Sequence, residues 1–259
     1  MDKQLGRTLR VSSKPVLERG MKGAFDEHGI FPINVVRWQG RIHAFTCGWT
    51  RRVSVSVDTG IGAAISEDGG ETFTRIGPGP VLTSSLNEPF LVGDGFVLPG
   101  EDRLHMWYIY GTQWKRYSEG AEPDRTYKIG YAHSQDGLEW TKEGRQLIED
   151  VLSPDESQAL PTVLFANGRY HMFFCFREST DFRKHQGRGY RLGYAHSEDG
   201  RNWTRDDAAG GMVLSPEGWD SQMQCYPHLF ECDGRVYLLY NGNEFGRHGF
   251  GVARLESFQ

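Results

Sequence analysis

A nine-residue string occurs three times in this chain, and it constrains the fold more than any other feature. Ile61-Gly62-Ala63-Ala64-Ile65-Ser66-Glu67-Asp68-Gly69 returns as Ile129-Gly130-Tyr131-Ala132-His133-Ser134-Gln135-Asp136-Gly137, and again as Leu192-Gly193-Tyr194-Ala195-His196-Ser197-Glu198-Asp199-Gly200. The aspartates are 68 and 63 residues apart, a period that signals a repeat architecture. Ahead of each copy lies a second recurring element, an apolar run, a Gly-centred turn and an aromatic-rich run. Its instances are Pro32 to Trp49, Phe96 to Tyr110, Pro161 to Phe176 and Pro227 to Tyr240. Turns such as Gln39-Gly40, Asn167-Gly168 and Asp233-Gly234 between such runs are β-hairpin signals. Each unit therefore reads as four antiparallel strands.

No amphipathic helical pattern of useful length interrupts the units, so the expected fold is all-β, a β-propeller of four-stranded blades formed by residues 1–259 as one domain. Four repeats are counted. The last unit stops soon after its third strand, Gly251-Val252-Ala253-Arg254-Leu255. Lys14-Pro15-Val16-Leu17 near the N-terminus resembles Gly79-Pro80-Val81-Leu82 at the end of the first unit, so an N-terminal strand is expected to close the ring on the C-terminal blade.

Antiparallel pairing sorts the motifs by face: the starts of strands 1 and 3 and the end of strand 2 share one end of a blade, and the Asp-Gly turns lie at the other. The Ser-x-Asp-Gly repeat is read as structural, its Asp capping the turn, its Gly taking positive φ, and Trp140, Trp203 and Phe73 packing between blades. Ser66 to Phe73 also fits the Asp-box of sialidase propellers, likewise a structural turn.

The opposite face gathers residues suited to sugar chemistry. An acid stands near the start of strand 1 in every blade: Asp26, Glu88 with Asp94, Glu156 and Asp220. Glycosidic cleavage needs two carboxyl groups across one bond, one a proton donor of raised pKa and the other ionised. Asp26, Glu88, Glu156 and Asp220 are accordingly the candidate catalytic residues. Candidate sugar-binding residues are Trp49, Asp94, Trp114, Arg177, Tyr226, His228, Asn241, Asn243 and Arg247, near the ends of strands at the same face.

Charge and composition narrow the partners. Lys and Arg number 29 against 34 Asp and Glu, a net charge of −5 with the basic residues scattered, which argues against nucleic acid. An oligosaccharide or glycoconjugate is the expected partner, with self-association possible to cover an exposed edge. No apolar run approaches the roughly 20 residues of a membrane helix, and the first 20 residues, MDKQLGRTLRVSSKPVLERG, hold no signal-like run, so a cytoplasmic protein without membrane contact is expected. The cysteines Cys47, Cys175, Cys225 and Cys232 have no zinc-like spacing and are expected as free, mostly buried thiols. No Gly-rich nucleotide loop or metal-ligand spacing occurs, so neither cofactor nor metal is expected.

The Gly-Tyr-Ala-x-Ser-x-Asp-Gly-x-x-Trp repeats, with an acid ahead of each blade, resemble the five-bladed propeller glycosidases of glycoside hydrolase families 32, 43, 68 and 130, which include invertases, levansucrases, arabinanases, β-xylosidases and β-mannoside phosphorylases. The segments Phe25 to Pro32, Gly218 to Met223 and Tyr240 to Gly251 resemble most closely a bacterial glycosyl hydrolase-like branch whose genes often lie near surface-polysaccharide genes. The resemblance implies that Asp26 is base or nucleophile, that Glu88 or Asp94 tunes pKa, and that Glu156 is the general acid. The chain departs from the branch in two ways. Members usually carry about 60 further N-terminal residues, roughly one repeat, and Gln222 stands where an acid is expected two positions after Asp220. The functional expectation is a glycoside hydrolase-like enzyme acting on a surface-polysaccharide-related oligosaccharide. The alternative is a glycan-binding or assembly propeller without catalysis.

Overall fold

The computed structural model describes residues 5–183, 185 and 187–256. Fifteen strands form four sheets, each built from consecutive strands. The first blade pairs β1 (Gly29–Trp38), β2 (Arg41–Arg51), β3 (Val57–Ser66) and β4 (Thr74–Arg75) in that order. The second is β5 (Val92–Pro99), β6 (Leu104–Lys115), β7 (Asp124–Ser134) and β8 (Thr141–Lys142), and the third is β9 (Glu156–Ala166), β10 (Arg169–Glu178), β11 (Arg191–Ser197) and β12 (Thr204–Arg205). The last has three strands among the described residues: β13 (Cys225–Cys232), β14 (Arg235–Asn241) and β15 (Phe250–Arg254). All pairings are antiparallel, as the two-residue turns require. Gln39 and Gly40, Asn167 and Gly168, and Asp233 and Gly234 each take positive φ in succession, the backbone that continues the right-handed twist of a hairpin.

The propeller of four blades is thus as the repeats predict, but its closing strand is not. Lys14-Pro15-Val16-Leu17 forms no strand. The N-terminal stretch instead lies on the first blade, where Arg10 pairs with Glu71 at 2.9 Å and the Glu18 carbonyl accepts from Arg75. The strands preceding each turn also start earlier than the prolines suggest, because the ladder continues past a break near each proline or glycine.

Two apolar clusters hold the blades together. Phe45, Ile61, Val97, Met106 and Tyr108 join the first blade to the second, and Trp107, Ile129, Val163, Met172, Phe174 and Leu229 run on through the second, third and last. Each side chain of this kind contributes about 1.5–3 kcal/mol when fully buried. First and last blades touch through the rings of Phe31 and Tyr226, 5.6 Å apart, and β1 leaves Phe31, Ile33 and Val35 partly exposed.

The Asp-Gly turns are structural, as expected. Asp136 accepts from the Leu138 and Glu139 amides and from Ser134, while Asp199 accepts from Arg201, Asn202 and Ser197, and these donors pull both carboxyls below the usual range against the cost of burial. Trp140 packs edge-on against Phe45 of the first blade, and Trp203 against Trp107 of the second. Cys47, Cys175 and Cys225 are buried thiols outside any disulfide.

Candidate functional site in the axial cavity

The innermost strands break their ladders at the same height. Register shifts fall between Ile30 and Ile33, between Gly93 and Phe96, and between Cys225 and His228, with the counterpart facing β9 between Phe173 and Cys175. A bulge leaves a residue unpaired and re-aims its side chain. The residues at these breaks are Phe31, Asp94, Leu160 and Tyr226, one per blade, and all four line one axial cavity of about 570 Å³ including its mouth. Asp94, Leu160 and Tyr226 have φ of 50°, 49° and 58°, a left-handed backbone that costs a non-glycine residue free energy and tends to occur at functional sites.

Asp94 is 8 % exposed. Burial pushes its carboxyl up to about 7, while the Leu160 amide and the charge of Arg125 pull the other way. The wall around it is aromatic and basic: Trp49, Tyr127, Phe182, Tyr190 and Phe245 with Arg125, Arg177 and Arg183. Arg177 is buried, with its guanidinium 3.5 Å from the centre of the Phe182 ring and 5.3 Å and 5.2 Å from those of Tyr127 and Tyr190. Arg125 lies over both Trp49 and Trp114, at 5.9 Å and 5.7 Å. Phe245 reaches the cavity from a short turn, Asn243–Gly246, in which Glu244 and Phe245 are themselves left-handed.

The four acids expected at the axis are elsewhere. Asp26 is 1 % exposed and pairs with Arg75 at 2.5 Å; Glu88, also 1 %, pairs with Lys142 at 2.5 Å and accepts from the Tyr108 hydroxyl at 2.7 Å. Glu156, 0 % exposed, pairs with Arg205 at 2.7 Å and accepts the Val151 and Leu152 amides at 3.0 Å. Each cation stands on the two-residue outer strand of the same blade, and Lys142 and Arg205 reach inward across the rings of Tyr108 and of Phe174 and Phe176. The last blade has no such strand among the described residues, and there Asp220 accepts from Gln224 at 2.9 Å and Tyr240 at 3.1 Å. Asp26, Glu88 and Glu156 are thus buried latches that tie the inner end of a blade to its outer edge. None of the four lines the axial cavity, and only Asp94 among the predicted acids does.

Of the expected sugar contacts, Trp49, Asp94, Arg177 and Tyr226 line the cavity and Trp114 backs it through Arg125. Asn241 donates to the Phe245 carbonyl, and Asn243 accepts the Gln222 and Met223 amides, so both shape the loop rather than the cavity. Arg247 is paired with Glu244 at 2.8 Å, and His228 lies near Phe96 away from the cavity wall. Sequence reasoning missed Phe31, Arg125, Tyr127, Leu160, Phe182, Tyr190 and Phe245. A signal existed for the axial four: each is followed by Pro or Gly, in Phe31-Pro32, Asp94-Gly95, Leu160-Pro161 and Tyr226-Pro227. No three His, Cys, Asp or Glu side chains among the described residues cluster as a metal site.

No family model matches the chain. Two Mycobacterium tuberculosis proteins, "Uncharacterized protein MT1551" and "Uncharacterized protein Rv1502", are each 34 % identical over 252 residues, covering 97 % of this chain and 80 % of theirs. Similar solved structures include a glycoside hydrolase at TM-score 0.67 and 17 % identity, covering 92 % of this chain and 72 % of that one. An endo-arabinase from Bacteroides thetaiotaomicron gives 0.63 and 14 %, covering 92 % and 79 %. A thermostable family-43 glycoside hydrolase gives 0.62 and 15 %, covering 88 % and 72 %. At these identities the likeness shows the shared propeller fold.

Proposed function

Given that the chain belongs to the family of the mycobacterial proteins MT1551 and Rv1502 and has the fold of propeller glycoside hydrolases, we propose that it is a carbohydrate-binding propeller that holds a sugar in its axial cavity. One observation carries this reading: of the four acids expected to cleave a glycosidic bond, Asp26, Glu88 and Glu156 are ion-paired inside the blades and Asp220 is hydrogen-bonded to Gln224 and Tyr240, whereas Asp94 is the carboxyl that faces the cavity among the described residues. Cleavage by the paired-carboxyl route needs two such groups flanking one bond. The aromatic wall, with hydrogen-bonding groups between the rings, is the usual surface for stacking and orienting a sugar.

A second reading, glycoside hydrolysis, is favoured by one feature. Burial keeps a proton on Asp94 up to about pH 7, as a general acid requires. The test is a panel of oligosaccharides followed by saturation-transfer NMR for contact and by reducing-end release for cleavage. Binding without release supports the binding propeller. Release that Asp94→Asn abolishes establishes hydrolysis instead, and absence of contact with any glycan overturns both readings.

A further inference from the structure

Three guanidinium groups and one carboxyl line the axial cavity, and the arrangement of one of the arginines, Arg177, is unusual for a buried cation. Arg177 is 1 % exposed, yet no carboxylate pairs with it among the described residues. Its Nη1 donates to the Glu178 carbonyl at 2.8 Å and its Nη2 to the Tyr127 hydroxyl at 2.9 Å, while Nε has no partner. The other deeply buried arginine, Arg205, is held between Glu156 and Asp207, at 2.7 Å and 3.0 Å. Burying a cation without a counter-charge is costly, and the cost falls when an anion shares the site. Arg125, between two indoles, has Ser56 Oγ at 3.4 Å and no carboxylate partner among the described residues, and Arg183 stands exposed at the mouth over Phe182 and Phe245.

From this geometry we infer that the sugar in the axial cavity carries a carboxylate, a uronic acid residue of an acidic glycan, gripped by Arg177 and Arg125; this rests on the carbohydrate-binding reading above. The guanidinium presents a planar edge of N–H donors that matches a planar carboxylate two bonds at a time, and the Nε side of Arg177 is the part still unbonded. The flanking rings of Tyr127, Phe182 and Tyr190 exclude water, so the charge pair acts in a medium where it is stronger than in bulk solution. Asp94 does not oppose the anion while it keeps its proton, so acidic sugar binding weakens as pH rises through 7.

The test is calorimetric titration at fixed ionic strength with trigalacturonate, its fully methyl-esterified form and glucose 6-phosphate. Trigalacturonate is expected to bind at least about tenfold more tightly than its ester, a preference of about 1.4 kcal/mol. Arg177→Met is expected to remove that preference, and Arg125→Met, at a half-exposed position that packs on surface indoles, repeats the test should the first variant fold poorly. Equal binding of acid and ester overturns this inference and leaves the carbohydrate-binding reading standing. Preference for the phosphate over the uronate also overturns it. Failure of these probes and of every neutral glycan to bind overturns both.

Discussion

Removing the cation of the third-blade latch, Arg205→Met, is the sharpest test of what the leading acids do. Arg205 and Glu156 have side chains 5 % and 0 % exposed, and the substitution leaves Glu156 buried with three N–H donors but no counter-charge. Breaking a buried pair from one side costs about 3–5 kcal/mol. An unfolding entropy near 2.1 cal/mol/K per residue gives about 0.5 kcal/mol/K for 259 residues, so the melting temperature should fall by about 6–9 °C. The decrease belongs at the low end, because the Val151 and Leu152 amides and Gln158 continue to hold the carboxylate. Differential scanning calorimetry reads it directly. Arg247→Met, which breaks the exposed pair with Glu244, is the control and should leave the melting temperature unchanged. In a double-mutant cycle with Glu156→Gln, the two losses should couple by about 2 kcal/mol. If Arg205→Met melts no lower than the control, the latch reading is wrong and Glu156 is free for another role.

Other outcomes follow from the cavity. Asp94 binds its proton more tightly folded than unfolded, so between its ordinary carboxylate pKa and about 7 the folded state holds more protons and stability falls as pH rises. Asp94→Asn removes that slope, and the difference in melting temperature between the two proteins should widen from pH 4 to about pH 7 (the carboxyl's own value) and then level off; a constant difference refutes the buried-acid assignment. Gly246 has φ of +87°, and a Cβ there would stand 2.7 Å from the Asn241 amide carbon, so Gly246→Ala should displace Phe245 and weaken glycan binding in the same titration. Gln222 is exposed and its amide bonds Asn243, outside the cavity, so Gln222→Glu should create no hydrolysis, as measured by reducing-end release.

The blades were legible because a propeller repeats its turn chemistry: a left-handed glycine after each Asp leaves a mark in the sequence that no other fold level obscures. The partners of the acids were legible too, but in a different place. Phe73-Thr74-Arg75, Trp140-Thr141-Lys142 and Trp203-Thr204-Arg205 repeat as aromatic, Thr and cation, and each cation holds the acid at the start of its own blade. Proximity to the start of an inner strand suggested an axial position for Asp26, Glu88 and Glu156. Whether a side chain at that point turns to the axis or back into its own blade depends on where it stands relative to the ladder break, which lies four to six residues further on. Asp94 lies at the break itself and faces inward. Arg125, Phe182 and Phe245 came from loops and strand ends of three blades, and their meeting depends on how the sheets pack, which no local pattern encodes.

The latches also set the order in which the ring yields. The second and third blades are flanked on both sides and tied internally by Glu88 with Lys142 and by Glu156 with Arg205. The last has, among the described residues, three strands, with Phe250 and Val252 exposed on its edge strand, and no cation on Asp220. Regions with fewer buried ties open at lower free energy, so amide protons of β13, β14 and β15 should exchange first. That blade carries Tyr226 and Phe245, whereas Asp94 and Arg177 stand on the tightly held pair. The cavity is therefore built with its charged groups on a fixed frame and two of its rings on the one wall able to swing.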